Sequence, residues 1–326
     1  MRIALDAMGT AGAPVSEIAG VIEALRTSDG ALEVILVGDE EIILSELKRH
    51  SDYPEDQLSV VHAPDRILPS DTPSKVIRRK PRSSIVVGLR LQKTGKADAF
   101  ISAGSTGAVM AASLFILRRI EGVDRPAIGA VVPTAKGSLL LLDAGANVDC
   151  KPQHLLQFAH MGSVYAEHLM SVKNPRVGLL NIGEEPGKGG ELTLAAHRLL
   201  AESELNFIGN VEGREIILGH CDVLVCDGFV GNVLLKFYES VATFVVDLLR
   251  RSVDSIPATD DLEEVFRVLD YTETGGAPLL GLNGVSIICH GDSPPKAIRN
   301  AIYVAAQAVR SSIVQHEQRV VAGSSH

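Results

Sequence analysis

Short apolar runs rich in Val, Ile and Leu alternate along this chain with longer stretches whose apolar residues recur at helical spacing. The runs predict strands at 2–6, 33–38, 57–62, 98–102, 127–133, 138–143, 176–182, 205–209, 222–227 and 285–289. The stretches predict helices at 14–27, 39–50, 82–94, 106–120, 152–171, 189–202, 230–252, 261–269 and 294–314. Leu139–Leu142 and Val223–Val225 are apolar at consecutive positions, as in strands covered on both faces. Pro152 and Pro294 read as first helical residues, with Ser293 as the N-cap before Pro294. Strands alternating with helices imply an α/β fold with a mostly parallel sheet. With no long linker and no internal repeat, residues 1–326 read as one domain. The most irregular stretch is Ser252–Asp261, and about 232–269 reads as a helical arm within that domain.

The strand ends carry the polar chemistry. Asp222–Lys236 runs through an apolar strand into Asp227-Gly228-Phe229-Val230-Gly231-Asn232 and then a helical pattern. A glycine turn that opens a helix offers backbone N–H groups to an anion. Ser102–Ala108, Asp143–Asn147, Asn181–Gly189 and His290–Ser293 repeat the design, which suggests one composite site. Asn232 and Lys236 lie four residues apart and share a helix face. Lys188 stands between Gly187 and Gly189 before another helix, without the spacing of a Walker A loop. A lysine in a glycine nest can hold a simple phosphate; the same lysines also suit a solvated helix. Asp6, Asp143 and Asp227 each end a strand, where a carboxylate either joins a Mg²⁺ site or, more commonly, accepts N–H groups of its own loop. His290 ends another strand and can serve as acid, base or donor, or be structural.

Two surfaces stand apart from these turns. Arg78, Arg79, Lys80 and Arg82 form a basic run that fits either a solvated loop or a landing patch for an acidic partner. In 230–252, Val233, Leu234, Phe237, Val241, Phe244, Val245, Leu248 and Leu249 make an apolar face too wide for one neighbour. A dimer interface is the first reading of that face, and membrane contact near Val253–Ala258 the second.

Composition narrows the function. A net charge of −9, 4% aromatic residues and no tryptophan argue against a nucleic-acid binder. The four cysteines, Cys150, Cys221, Cys226 and Cys289, fit no zinc spacing and read as free thiols in a reducing cytosol. The first residues read as a strand rather than a signal peptide. No apolar run reaches the roughly 18 residues of a membrane span. A cytoplasmic protein is expected.

A set of ordered motifs runs nearly end to end through the chain. They are Asp6-Ala-Met-Gly9 with Ala13-Pro14, Ser102-Ala-Gly104 with Thr106-Gly-Ala108, Arg125-Pro-Ala127, Leu142-Asp-Ala-Gly-Ala-Asn147 and Leu180-Asn-Ile-Gly-Glu-Glu185. Gly209–Arg214, Cys226–Lys236, Gly275–Gly281 and His290-Gly291 complete the set, which resembles the phosphate acyltransferases of bacterial phospholipid synthesis, the acyl-carrier-protein:phosphate transacylases. Two positions depart from the family pattern: Ala11 stands where it has an acidic residue, and Ser105 where it has asparagine.

The resemblance implies a three-layer α/β/α fold similar to isocitrate and isopropylmalate dehydrogenases and to phosphotransacetylases. It implies acyl phosphate formation from long-chain acyl-ACP and inorganic phosphate, with no cofactor and no metal. It also implies a homodimer at the inner face of the cell membrane. Lys188, Asn232, Lys236 and His290 are then the catalytic candidates. Asp6, Gly9, Ser105, Thr106, Asp143, Asn147, Asn181, Arg214, Asp227 and Gly231 are candidates for substrate contact, and Arg78, Arg79, Lys80 and Arg82 for carrier-protein docking. The alternatives are an NAD(P)- and metal-dependent dehydrogenase of similar fold, a short-chain phosphotransacetylase, and a membrane-associated scaffold with weak or no turnover. No G-x-G-x-x-G fingerprint with a downstream acidic residue supports the first.

Overall fold

The computed structural model describes residues 1–28, 30–51, 53–68, 70–253 and 271–323. The strands among them are β1 (Arg2–Asp6), β2 (Glu33–Gly38), β3 (Leu58–His62), β4 (Ala99–Ser102), β5 (Ala127–Thr134) and β6 (Gly137–Leu142), followed by β7 (Val177–Asn181), β8 (Phe207–Glu212), β9 (Val223–Val225), β10 (Ala277–Leu280) and β11 (Val285–Ile288). The helices are α1 (Val15–Arg26), α2 (Glu40–Leu47), α3 (Pro73–Arg79), α4 (Ser84–Lys93), α5 (Thr106–Ile116), α6 (Pro152–His168), α7 (Glu191–Glu202), α8 (Gly228–Val253), α9 (Pro295–Arg310) and α10 (Ile313–Gly323). Three sequence expectations change. The run at 294–314 divides at Ser312, whose positive φ of 54° ends α9 and restarts the chain as α10. Helix α9 begins at Pro295, so Pro294 takes the cap position expected of Ser293. Strand β10 and helix α3 are additional elements. The expected helix at 261–269 and the arm beyond Val253 lie outside the described residues.

The chain forms two compact units. Unit 1 comprises Met1–Pro126, His168–Ser171 and Gly275–His326. Its strands run β3-β2-β1-β4-β11-β10, parallel except for the β10–β11 pair. Strand order reverses between β1 and β4, and ligands of open α/β sheets bind beyond the carboxyl ends at such a reversal. Helix α1 lies close on α9: a Cβ added to Gly20 would sit 2.5 Å from the Pro295 carbonyl. Helix α4 lies close on β4, because a Cβ on Gly88 would sit 2.4 Å from the ring of Phe100.

Unit 2 comprises Ala127–Glu167 and Val172–Thr274. Its strands run β5-β6-β9-β7-β8. The β5–β6 hairpin is antiparallel and the other pairs are parallel. Leu139–Leu142 and Val223–Val225 are buried, as consecutive apolar positions require. The carboxyl ends of β6, β9 and β7 therefore share one edge, and they deliver Asp143, Asp227 and Asn181 there. Helix α8 returns across the sheet and contacts β6. Its segment Gly228–Leu249 is long and apolar enough by length and composition to cross a membrane. Lys236, Glu239 and Asp247 nevertheless interrupt that segment.

Candidate functional site

In unit 2 the site is built around Asp143, which is fully buried after β6. Its Oδ1 accepts N–H groups of Ile128, Gly145 and Ala146 at 3.0, 3.1 and 2.9 Å. Its Oδ2 accepts the backbone N–H of Asn147 at 2.7 Å and the Asn147 amide at 2.9 Å. Burial pushes the Asp143 carboxyl upward, and these donors pull it back. The loop so fixed meets the start of α8. The Gly228 N–H donates to the Asn147 carbonyl at 2.7 Å, and a Cβ on Gly145 would sit 3.4 Å from Asn232. Gly231 has no room for a side chain, because a Cβ there would lie 1.9 Å from the Asp143 carbonyl oxygen.

The donors expected to greet an anion at this turn are already used. Asp227 Oδ1 accepts the N–H groups of Phe229 and Val230 at 2.9 and 3.0 Å. The Gly231 N–H bonds the Asp227 carbonyl at 3.0 Å. With Gly228 held by Asn147, the chain itself satisfies all four leading N–H groups of α8. Asp227 also places negative charge at the positive end of the helix. An anion placed at this turn would therefore meet side chains rather than free N–H groups. Lys188 and Lys236 are exposed, and neither has a charged partner among the described residues.

The third strand end is also self-fastened. Asn181 donates to the Lys188 carbonyl at 3.0 Å and accepts the Ile182 N–H at 2.8 Å. Gly189 has a φ of 95°, and a Cβ there would strike Thr193 Oγ1 at 2.1 Å. Arg214 is not a free cation: it pairs with Glu212 at 2.8 Å and with Glu184 at 3.4 Å. The Asn181 loop and Asp227 stand at the polar end of a cleft of about 580 Å³, whose other walls include Leu155, Leu179, Val233 and Phe237. Cys226 also lines it. Burial raises the Cys226 thiol well above its usual value, so it stays protonated and is a wall rather than a nucleophile. All four cysteines are free thiols, and Cys221, Cys226 and Cys289 are buried.

Unit 1 repeats the design at the switch between β1 and β4. Asp6 is buried, accepting the Met8 N–H at 3.0 Å and the Ser102 hydroxyl at 2.7 Å. Burial raises its pKa. Gly9 lies against the backbone of the next loop, since a Cβ would sit 2.8 Å from the Ala103 nitrogen. Ala11 donates its N–H to the Gly291 carbonyl at 2.8 Å, which joins the loop after β1 to the turn of His290. Ser105 precedes α5 and makes no side-chain cap bond, while Thr106 opens that helix at the surface. The sequence reading missed Glu17, which accepts the Thr10 N–H at 2.7 Å and the Thr10 hydroxyl at 3.0 Å. Burial pushes its carboxyl up to about 7. The available signal was a charged residue beside Ile18 and four positions before Val21, on the apolar face of α1.

Asp6, Asp143 and Asp227 thus each bind N–H groups of their own loops. No cluster of three metal-ligating side chains occurs among the described residues. In the basic run, Lys80 is committed: its ammonium donates to Asp71 at 2.6 Å and to the Arg66 carbonyl at 2.8 Å. Arg78, Arg79 and Arg82 remain exposed.

The fold is that of the phosphotransacetylases. It superposes on a phosphotransacetylase from Streptococcus pyogenes with a TM-score of 0.63, at 18% identity and over 95% of this chain and 94% of that one. The EutD phosphotransacetylase from Staphylococcus aureus gives 0.62 at 17% identity, with the same coverage. The family profile described as "Fatty acid synthesis protein" matches residues 1–316. A phosphate acyltransferase from Desulforamulus reducens is 50% identical over 321 residues, covering 96% of this chain and 95% of that protein. One from Heliobacterium modesticaldum is 51% identical over 331 residues, covering 99% and 98%. The chain belongs to the phosphate acyltransferase family, and is thus an acyltransferase.

Proposed function

We propose that the chain transfers a long-chain acyl group from acyl carrier protein to inorganic phosphate, making acyl phosphate for glycerophospholipid synthesis. The observation that carries this reading is the amphipathic site of unit 2. Polar strand ends with uncommitted lysines stand beside an apolar cleft. That combination suits an anionic nucleophile and a greasy electrophile in one reaction.

Phosphate is already anionic near neutral pH, so it needs placement more than activation. Lys188, Lys236 and Asn232 hold it against its charge, and fixed orientation supplies several kcal/mol of the barrier. A phosphate oxygen attacks the thioester carbon. The carbonyl becomes an oxyanion that side-chain donors stabilise. The intermediate then expels the carrier thiolate, which takes a proton to leave as the thiol. The C–O bond to phosphate replaces the C–S bond, and no covalent enzyme intermediate is required. His290 is a proposed donor on unit 1. Asp6, Asp143, Asn147, Asn181 and Asp227 hold the loops in shape, while Gly9 and Gly231 allow backbones to close. Ser105 and Thr106 are proposed substrate contacts. Arg214 acts through its ion pairs, steadying the Asn181 loop. Arg78, Arg79 and Arg82 face the acidic carrier. The reading includes a cytoplasmic homodimer in peripheral contact with the membrane, for which the exposed Phe244 and Leu248 of α8, beyond the cleft, offer apolar surface.

Trapping acyl phosphate as its hydroxamate, with palmitoyl-ACP and phosphate as substrates, tests the proposal. Wild type should turn over, and Lys188→Ala and Lys236→Ala should each lose on the order of 10²-fold in kcat/KM. Full activity in both variants removes the proposed anion site. Reduction of a nicotinamide by a hydroxy acid, preference for acetyl-CoA, or liposome binding without turnover would each select one of the alternatives.

A further inference from the structure

A second, smaller cavity of about 120 Å³ continues the cleft of unit 2 beneath α8. The two share Gly213, Leu234 and Phe237 as walls. The first cavity begins at Asp227 and the Asn181 loop. The second ends against Tyr238 and Val241 on α8 and against Leu139 and Val132 on the sheet. From Asp227 to Val241 the helix advances about 21 Å at 1.5 Å per residue, close to the length of an extended long-chain acyl group. The lining changes in the same direction: polar atoms gather at the strand ends, and the far cavity is almost wholly apolar. Apolar surface of this extent favours an apolar guest over water.

We propose that these two cavities form one tunnel for the acyl chain, and that Tyr238, Val241 and Gly213 set the length it accepts. The occupant is a saturated acyl chain entering methyl end first, with its thioester left at Asn181 and Asp227. This inference rests on the acyltransfer reading and adds to it a site and a measuring device. Gly213 lies at the junction of the cavities, and a Cβ added there meets nothing within 4 Å. Its backbone is not in the left-handed region, so a larger side chain is accommodated and narrows the passage. On α8, Val241 can become Phe without loss of helical geometry, which shortens the far end.

The test uses the full chain with two readouts. The first is the ratio of kcat/KM for palmitoyl-ACP over octanoyl-ACP. The second is binding of cis-parinaric acid, followed by its fluorescence and reversed by palmitate. Gly213→Leu and Val241→Phe should lower the ratio and weaken probe binding by about tenfold or more, since each methylene expelled from an apolar wall is worth roughly a factor of four. Tyr238→Ala should move the optimum toward longer chains, and it remains informative should a filled variant fail to fold. An unchanged chain-length profile with unchanged probe binding overturns the tunnel while leaving the reaction intact. Variant-dependent probe binding without acyl phosphate from any acyl-ACP sustains the tunnel and overturns the reaction. Changed sedimentation of the α8 variants with unaltered probe binding would assign this face to a second copy of the chain and sink the proposal.

Discussion

Two strand ends in this molecule look alike in sequence and are held differently. Asp6-Ala-Met-Gly9 follows β1 of unit 1, and Asp143-Ala-Gly-Ala-Asn147 follows β6 of unit 2. Asp6 receives one backbone N–H, the Ser102 hydroxyl of β4, 96 residues away, and the Ser84 hydroxyl of α4, so it ties two strands and a helix together. Asp143 receives four backbone N–H groups and one side-chain amide, so it shapes a whole loop. One motif serves as a cross-link in the first unit and as a mould in the second. The difference lies in what the donors can do when the carboxylate is gone. A hydroxyl rotates to another acceptor, whereas an N–H fixed in a tight loop stays where it is.

The largest expected effect follows from that difference. Asp143→Ala strands several N–H groups in a buried loop and should destabilise by roughly 3–5 kcal/mol, with loss of activity as Asn232 loses its neighbour. Asp6→Ala should cost roughly 1–3 kcal/mol. Urea midpoints of the two variants check the order. Equal losses, or a larger loss at Asp6, would break the comparison.

The uneven legibility of the chain has a similar cause. Strands were read from local apolar runs, and β1, β2 and β6 lie within a residue of where the pattern put them because burial alone decides them. Strand β8 lies further along than its pattern suggested, since Gly209 at a φ of 99° and a register shift against β7 determine its pairing. Strand β10 was absorbed into the Gly275–Gly281 motif, its four residues being too few to show a period. Helix α3 was hidden by its basic residues, although Pro73 opens it as a first-turn proline should. At the site, the sequence showed which residues end strands but not where their hydrogen bonds go. The free N–H groups expected at Gly228–Gly231 are taken by Asp227 and Asn147, and Asn147 is brought in by a different strand. The cleft of unit 2 was invisible for the same reason, because its walls come from strands, a turn and α8 together.

A middle-sized effect separates the two loops by pH. Glu17 supports only the loop of unit 1, and burial raises its carboxyl from 4.5 to about 7, with Asp6 as a like charge nearby. A carboxyl raised in the folded state favours folding while protonated. Its contribution is complete below about pH 4.5 and is lost as pH rises to about 7. Wild type should therefore lose roughly 2–3 kcal/mol from this group between pH 5 and 8. Glu17→Gln can still accept from Thr10 and should flatten that slope. Glu317 of α10, pushed up to about 8 by burial, adds a slope of the same sign that Glu17→Gln leaves in place. Urea unfolding of both proteins at pH 5 and pH 8 measures the difference. A slope unchanged by the substitution removes Glu17 as its source.

The smallest effect concerns surface charge, where the contrast lies within a single run of residues. Arg78 and Arg79 are exposed at the end of α3, whereas Lys80 beside them fastens Asp71 and the Arg66 carbonyl. Exposed charges contribute little to stability but steer encounters. Arg78→Glu with Arg79→Glu should leave the urea midpoint within about 0.5 kcal/mol and raise KM for acyl-ACP several-fold at low salt. That rise should fade as salt screens the surface over a Debye length of about 8 Å near physiological strength. Lys80→Ala should do the reverse, loosening α3 with a smaller change in the salt dependence of KM. A KM indifferent to the double charge reversal at low salt would assign the carrier protein to another face, and the basic run would then be a solvated end of α3.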